Sequence, residues 1–235
     1  MRRIRGFFKS TAALALCCIL CLCFCLRVFA KPQIVYQSAS KTGNARVALT
    51  FDDGPHPRYT ALILDILREY GVVATFFTVG VNVETYPKLI ERAVAEGHEI
   101  GNHTYNHYHV PKLSDEALYQ DIEACSNAVE RVTGERPRLF RPPEGVCSDA
   151  VKSYCEREGM TIVMWSVDTR DWAHTPINEI YRNIRTNVKN GSIILMHDFI
   201  GKNSPTPQAL RQVIPMLLEL GYEFVTVSEL LDDVD

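Results

Sequence analysis

The sequence predicts an α/β fold in which a parallel sheet closes in the manner of a barrel, with helices around it. Short β-branched or aromatic runs alternate with stretches of helical period, and this order requires helical crossovers between parallel strands. Polar clusters repeatedly follow the strands, at the edge where barrel folds gather their sites. With 235 residues, 46% of them hydrophobic, the chain can fill one large core.

Seven segments have the composition of strands: 46–51, 74–79, 98–101, 138–141, 161–167, 192–196 and 223–227. Between them lie amphipathic stretches such as YTALILDILREYG, YPKLIERAVAEG, SDEALYQDIEACSNAVERVTG and TPQALRQVIPMLLELG. These end in glycine, as helices commonly do, because glycine adopts the left-handed conformation that closes a helix. The sequence contains no internal repeat and no long polar gap, so we expect one domain over residues 45–235.

Residues 1–30 have the pattern of an export signal. Four basic residues and no acidic one precede a long apolar run, and Val28 and Ala30 suit a cleavage site after residue 30. We predict a signal peptide or, if the segment stays uncut, an N-terminal membrane anchor. Residues 31–44 show no sustained period and are predicted to be a linker between this segment and the domain.

Charge and cysteine content argue against two classes of protein. Without residues 1–30 the chain has 20 basic and 28 acidic residues, a net charge of −8 that is unfavourable for binding nucleic acid. The domain keeps three cysteines, Cys125, Cys147 and Cys155, and contains no C-x-x-C motif. An odd number does not indicate a disulfide framework. We expect three small buried hydrophobes, with a Cys147–Cys155 bridge as the alternative.

The motif TFDDGP places Asp52 and Asp53 side by side at the end of the first predicted strand. An Asp-Gly turn or a helix cap would explain one of these acids but not both. Adjacent residues of an extended segment point in opposite directions, so the two carboxylates are expected to have different surroundings. One could bind a metal while the other accepts a proton.

The segment HEIGNHTYNHYH supplies candidates for further metal ligands in His98, His103, His107 and His109. His103 and His107 are four residues apart, a spacing that predicts two imidazoles on one face of a helical turn. Asp53 can complete a site of two histidines and one carboxylate that leaves a position open for water. Threonine follows His103, so the glutamate of H-E-x-x-H metalloproteases is missing, and Asp52 becomes the predicted general base. Two other histidines are predicted to be structural only, at a strand end and in a surface loop: His98 and His109.

Three further polar clusters, FRPPEG, DTRDW and LMHD, follow later strands. Each has a structural explanation when it is considered alone. Arg141 could form a surface ion pair, and Asp168 could cap a helix. Trp172 could fill the core, and His197 could be a buried histidine with satisfied hydrogen bonds.

In this order, the motifs TFDDGP, H-T-x-x-H, R-P-P-x-G, D-x-x-D-W and L-x-H resemble those of polysaccharide deacetylases of carbohydrate esterase family 4, also called the NodB homology domain. The resemblance covers residues 45–231. It implies a distorted, incomplete (β/α) barrel with about seven parallel strands. It also implies metal-dependent removal of N-acetyl, or less often O-acetyl, groups from a glycan.

The resemblance assigns the residues around the metal. It implies that Asp53, His103 and His107 bind the metal and that Asp52 is the general base. Arg141 would then hold the Asp52 carboxylate. Zinc is the expected metal, although Co²⁺, Ni²⁺ and Fe²⁺ also suit a site with this set of ligands.

The remaining assignments concern the leaving group and the acetyl pocket. The resemblance implies that His197 is the general acid and that Asp171 pairs with it, with Asp168 as a lesser candidate. Trp172 and Leu195 would form the walls of the pocket for the acetyl methyl group.

One residue departs from the family pattern. The family often has an aromatic residue after the two prolines, where this chain has Glu144. The backbone N–H at this position helps to hold the oxyanion in the family, and that function does not depend on the side chain. The Glu144 carboxylate could disfavour acidic glycans or contact a basic group.

Together, these observations predict an exported enzyme whose substrate is an acetylated glycan, either peptidoglycan or a chitin-like oligosaccharide. The expected location is outside the cytoplasm, secreted or membrane-tethered and associated with the cell wall. We predict no nucleic-acid or protein partner, and membrane contact only through the N-terminal segment. Two alternatives are an O-acetyl xylan-type esterase and a glycan-binding domain of the same fold without turnover.

Overall fold

One curved parallel sheet forms the centre of the computed structural model, which describes residues 33–38 and 43–232. Its strands are β1 (Ile34–Val35), β2 (Arg46–Asp52), β3 (Thr75–Thr78), β4 (Glu99–Asn102), β5 (Leu139–Phe140), β6 (Thr161–Val163), β7 (Val167–Asp168), β8 (Ser192–His197) and β9 (Glu223–Phe224). Their order is β1-β6-β5-β4-β3-β2-β8-β7, with β9 paired to β2. All these pairs are parallel. The predicted distorted, incomplete (β/α) barrel is confirmed.

Helices connect the strands and cover the outer face of the sheet. In the described ranges they are α1 (Tyr59–Tyr70), α2 (Gly80–Thr85), α3 (Pro87–Ala95), α4 (Asp115–Thr133), α5 (Asp149–Glu158), α6 (Ile177–Asn187), α7 (Thr206–Glu219) and α8 (Val227–Asp232). Gly71 and Gly134 end α1 and α4 with φ of 66° and 78°. Their amides donate to carbonyl oxygens of the last helical turn, which confirms the predicted helix ends.

Two predicted strands differ from the structure. The strand expected over residues 161–167 is divided into β6, which pairs with β1 and β5, and β7, which pairs with β8 near the other end of the sheet order. Residues 164–166 therefore connect opposite ends of the sheet and partly close the barrel. The strand expected over residues 223–227 is also shorter, because β9 ends at Phe224 and α8 begins at Val227.

The sheet begins earlier in the chain than the predicted domain boundary. We expected residues 31–44 to be a linker, but β1 lies within them and pairs with β6. Val35 is 6% exposed and packs in the cluster inside the barrel, and its carbonyl accepts a hydrogen bond from the Met164 amide at 2.7 Å. A two-residue strand is too short to show an alternating pattern, so nothing in the sequence marks it.

The N-terminal prediction is not tested by the structure. Residues 1–30, for which we expect a signal peptide or a membrane anchor, lie outside the described residues. Within the described ranges, no helix combines the length and the hydropathy needed to cross a membrane.

The three cysteines of the domain are free thiols. Cys125 and Cys155 are buried, as expected for small hydrophobes, and burial raises the pKa of each thiol to about 12. Cys147 is partly exposed. The alternative Cys147–Cys155 bridge is therefore not formed.

The two central strands alternate between the helical layer and the barrel interior. On β2, Leu49 and Phe51 pack with the helices, whereas Thr50 and Asp52 belong to the opposite face, because successive side chains of a strand alternate. The register aligns Asp52 with His197 on β8. Apolar residues thus fill the barrel interior toward the amino ends of the strands, and polar residues lie at the carboxyl ends.

The contribution of β1 can be tested with Val35→Ala. Loss of two buried methyl groups is expected to lower the free energy of unfolding by about 1.5–3 kcal/mol. Tyr36→Ala, at a neighbour that is 53% exposed, is the control and is expected to change it by less than about 0.5 kcal/mol. Urea denaturation measures both. Equal effects would mean that β1 is not part of the stable sheet.

Candidate active site

Asp52 lies at the carboxyl end of β2 and pairs with a buried arginine. Its Oδ1 accepts a hydrogen bond from Arg141 Nη1 at 2.7 Å, and the two side chains are 5% and 0% exposed. Arg141 Nη1 also donates to Thr50 Oγ1 at 2.8 Å. Its Nε and Nη2 donate to the carbonyl oxygens of Val163 and Met164, each at 3.1 Å. These bonds fix the position of the Asp52 carboxylate.

Asp53 has different surroundings, although it is the next residue. Its φ of 78° turns the chain out of the strand. Its Oδ1 lies 3.4 Å from His103 Nε2 and 3.1 Å from His107 Nε2. The same oxygen is buried and has no hydrogen-bond partner among the described residues. Asp52 also approaches one of these imidazoles, because its Oδ2 lies 3.8 Å from His103 Nε2. The two carboxylates therefore share His103 but differ in their other partners, Arg141 for Asp52 and His107 for Asp53.

The tautomer of His103 follows from its contacts. Its Nδ1 lies 2.7 Å from the carbonyl oxygen of Arg141, and a carbonyl can only accept, so Nδ1 carries the proton. In the neutral ring, Nε2 then carries a lone pair that can coordinate a metal, and this atom faces Asp53. An imidazole oriented by a backbone carbonyl in this way is typical of metal ligands.

The two histidines belong to a loop after β4, so the predicted helical turn is wrong. Residues 103–109 form no regular secondary structure apart from a bend at residues 105 and 106, and His107 has a φ of 55°. Asp121 on α4 organises the loop, because its Oδ2 accepts the backbone N–H groups of Tyr105 and Asn106 at 3.1 and 3.2 Å. The four-residue spacing therefore brings the imidazoles together through turns fixed by a helix on the outer face.

The residues present fit a divalent metal. One ligand atom each from Asp53, His103 and His107 lies within 4.8 Å of the others. Burial raises the pKa of Asp53, but the two imidazoles outweigh this effect and hold it well below its usual range. The contact with Asp53 raises the pKa of His107, against the opposing effect of burial. A buried carboxylate oxygen without a hydrogen bond, between two imidazoles, is a suitable cation ligand.

His197 lies at the end of β8, directly beside Asp52 in register, and is held by Asp171. Its Nδ1 donates to Asp171 Oδ1 at 2.7 Å, and its backbone N–H donates to Asp171 Oδ2 at 2.8 Å. Asp171 also accepts the Trp172 amide at 2.9 Å and the Thr206 hydroxyl at 2.6 Å. The lesser candidate, Asp168, instead accepts the backbone N–H of Arg170 at 2.8 Å.

The charge around His197 favours its protonated form. Burial lowers the pKa of His197, but the hydrogen bond and charge of Asp171 raise it, with further contributions from Asp52 and Asp53. The net result is a pKa of about 9. At neutral pH the side chain is therefore an imidazolium whose Nε2 proton is available to a neighbouring base.

The three predicted substrate contacts occupy different environments. Leu195 lies on β8 two residues before His197, on the same face, and is 4% exposed. Trp172 follows Asp171 and is 49% exposed. Glu144 has a φ of 56°, and its Oε2 lies 2.7 Å from His109 Nδ1. The basic group that Glu144 contacts is therefore a side chain of this chain.

Asp198, a buried carboxyl group next to His197, was not among the predicted site residues. Its Oδ2 accepts the Thr60 hydroxyl at 2.5 Å, and its amide donates to the Asp52 carbonyl at 3.1 Å. Burial, together with the charges of Asp53 and Asp52, raises the pKa of Asp198 to about 7. A carboxylate that ends a buried strand in LMHD was a usable signal. Asp121 carried no such signal, since acids on helix surfaces are common.

Comparison with known proteins places this geometry in a family. Residues 39–163 match the family model described as polysaccharide deacetylase. A peptidoglycan-N-acetylglucosamine deacetylase of Bacillus cereus is 46% identical over 79% of this chain and 87% of its own length. A chitooligosaccharide deacetylase of Bradyrhizobium is 34% identical over 80% of this chain and 92% of its own length.

A solved structure supports the same assignment. The chain matches the crystal structure of a peptidoglycan N-acetylglucosamine deacetylase in complex with 4-naphthalen-1-yl-N-oxidanyl-benzamide. The TM-score is 0.80 at 35% identity, over 85% of this chain and 92% of that one. The chain is therefore a hydrolase of the polysaccharide deacetylase family, carbohydrate esterase family 4.

Proposed function

We propose that this chain is an exported, metal-dependent enzyme that removes N-acetyl groups from a glycan. The observation that carries the proposal is that the two adjacent carboxylates have different principal contacts. Asp53 faces two imidazoles, whereas Asp52 is held by the buried Arg141. One position is suited to a metal ligand and the other to a proton acceptor.

The metal would be held by Asp53, His103 and His107. When bound, a divalent metal polarises a carbonyl group and lowers the pKa of a water molecule toward about 7. We propose zinc, while Co²⁺, Ni²⁺ and Fe²⁺ suit the same ligands. The Nδ1–H bond from His103 to the Arg141 carbonyl keeps the Nε2 atom directed at the site.

Asp52 and the backbone act on the attack step. Water adds through its oxygen to the amide carbon, and the Asp52 carboxylate accepts the proton that the water loses. The Arg141 contact occupies Oδ1 of Asp52, which leaves Oδ2 for this proton. The backbone N–H of Glu144 is the proposed donor to the oxyanion.

His197 acts on the departure step. An amide anion is a poor leaving group, so the nitrogen needs a proton before the carbon–nitrogen bond breaks. His197 Nε2 donates that proton, and Asp171 keeps the imidazole charged and oriented through Nδ1. The products are acetate and a glycan amine. Leu195 and Trp172 are the proposed walls around the acetyl methyl group.

Two considerations support peptidoglycan or a chitin-like oligosaccharide as the substrate. The first is the substrate in the names of the relatives, which are 46% and 34% identical to this chain. The second is the export pattern of residues 1–30, which would place the domain beside the cell wall. We therefore propose a secreted or membrane-tethered enzyme associated with the wall.

The direct test is release of acetate from peptidoglycan and from N-acetylglucosamine oligomers. We expect release that stops on chelation and returns when zinc is added, because three side chains converge on one ligand site. O-acetylated xylan is the comparison substrate and should be hydrolysed less efficiently. If no acetylated glycan yields acetate, the protein is a binding domain and the proposal is wrong.

Substitutions of the two carboxylates are expected to have different effects on metal content and turnover. Asp53→Ala removes a charged ligand, so metal content and turnover should fall together. Asp52→Asn keeps the shape but loses the proton acceptor, so metal should remain while turnover falls by about 10²–10⁴-fold. Elemental analysis of purified protein and acetate release measure the two quantities. Loss of metal from Asp52→Asn, with retention in Asp53→Ala, would reverse the assignment.

The role of Asp171 predicts a shift in the pH profile. Asp171 raises the pKa of His197, and a proton donor is active only below its pKa, so kcat/KM should decline near pH 9. Asp171→Asn should lower the pKa toward the ordinary value of about 6.5 and move this alkaline limb to lower pH. Asp168→Asn, three residues earlier at the end of β7, is the control and should leave the limb in place. An unchanged limb in Asp171→Asn would contradict the pairing.

A further inference from the structure

Beside the reacting centre lies a stack of three rings that the proposed mechanism does not use. The rings of Phe199 and His56 have centroids 4.9 Å apart and an interplanar angle of 11°. His56 in turn stacks on Tyr59, with centroids 5.1 Å apart and an angle of 29°. Tyr59 is buried, whereas Phe199 is 40% exposed. The stack therefore runs from the core to the surface and ends at Phe199.

The His56 ring is held by the backbone. Its Nδ1 accepts the N–H groups of Arg58 and Tyr59, each at 3.2 Å, so the proton of the neutral ring is on Nε2. The His56 amide donates to Thr60 Oγ1 at 2.7 Å, and that hydroxyl donates to the buried Asp198. The ring orientation is thus fixed before any ligand binds.

Phe199 is held through the loop that follows it. The Tyr59 hydroxyl accepts the backbone N–H groups of Asn203 and Ser204 at 2.9 and 3.4 Å. This contact joins the segment after β8 to the start of α1. A ring that is positioned in this way loses little conformational freedom when a ligand stacks on it.

The stack is adjacent to the catalytic residues of the proposed mechanism. His56 is three residues after Asp53, and Phe199 is two residues after His197, in the segments that follow the neighbouring strands β2 and β8. Two residues span at most about 7 Å of chain, so the backbone of Phe199 lies within about 7 Å of the backbone of His197. A neighbouring sugar ring of the substrate can reach this position. Trp172, which is also exposed, follows Asp171, the residue that holds His197.

We propose that Phe199, supported by His56, binds a pyranose ring of the same glycan next to the sugar that loses its acetyl group. The proposal rests on the proposed deacetylase function. A pyranose has an apolar face of C–H groups, and an aromatic face is electron-rich, so the two pack with weak C–H···π contacts. Phe199 has no polar atom, so it selects a ring face rather than a particular hydroxyl group. The enzyme therefore prefers oligomers over short substrates.

The experiment compares N-acetylglucosamine pentamer with the monomer on Phe199→Leu, which keeps apolar volume but removes the ring face. For the pentamer, KM is expected to rise by about 3- to 12-fold with kcat unchanged, the usual effect of one aromatic contact made equally in ground and transition states. The monomer has no neighbouring ring to bind Phe199, so both of its constants are expected to be unchanged. Phe199→Trp should retain wild-type KM for the pentamer.

Leu220→Ala is the matched control, because Leu220 is 51% exposed and follows α7 at the opposite edge of the sheet. It should leave both substrates unaffected. Calorimetric titration of the pentamer into Asp52→Asn, with and without Phe199→Leu, measures binding independently of turnover. We expect the same 3- to 12-fold weakening in Kd.

The proposal is overturned if Phe199→Leu binds the pentamer as tightly as its parent, or if the monomer and the pentamer weaken equally. These results differ from a failure of the deacetylase function, in which the wild type releases no acetate from any glycan. In that case the calorimetric comparison still decides whether Phe199 holds a sugar ring.

Discussion

The buried pair of Arg141 and Asp52 is the interaction on which the site and part of the fold depend. A guanidinium with no exposure is costly unless its donors are satisfied, and here it donates to Asp52, to Thr50 and to two backbone carbonyls. Those carbonyls belong to Val163 and Met164, where the chain leaves β6 to cross toward β7. The Arg141 carbonyl in turn orients His103. One residue therefore links closure of the barrel, the proposed proton acceptor and a proposed metal ligand.

Two pairs of carboxylate and cation, Asp52–Arg141 and Asp171–His197, meet where β2 and β8 end, and they differ in the cation. Arginine is not deprotonated in proteins, so in the proposed mechanism its partner Asp52 is the group of this pair that accepts a proton. In the second pair the cation is His197, which can release its proton although Asp171 raises its pKa to about 9. In the proposed mechanism, two pairs of the same kind thus provide a base in one place and an acid in the other.

The sequence predicted the class of the fold and most residues at the carboxyl ends of its strands, because both depend on local patterns. Long apolar runs such as β2 and β8 are unambiguous, and the polar residues that end them can only meet at one edge of a parallel sheet. The features that the sequence did not predict depend on contacts between segments that are far apart along the chain. β1 is two residues long, and β6 and β7 separate where Arg141 holds two carbonyls. The histidine loop is shaped by Asp121 on α4, which lies 15 and 16 residues further along the chain than the two amides it accepts.

The turn after Asp53 shows how a correct sequence signal can have another physical cause. Asp-Gly in TFDDGP indicates a turn, but the residue with positive φ is Asp53, and Gly54 is required for space. A Cβ atom on Gly54 would lie 2.0 Å from the carboxylate of Asp198. Asp198 follows His197 and bonds to the Asp52 carbonyl through its amide. Direct packing of the DGP turn on Asp198 therefore holds the segment of Asp53 against the segment that follows His197, at the junction of β2 and β8.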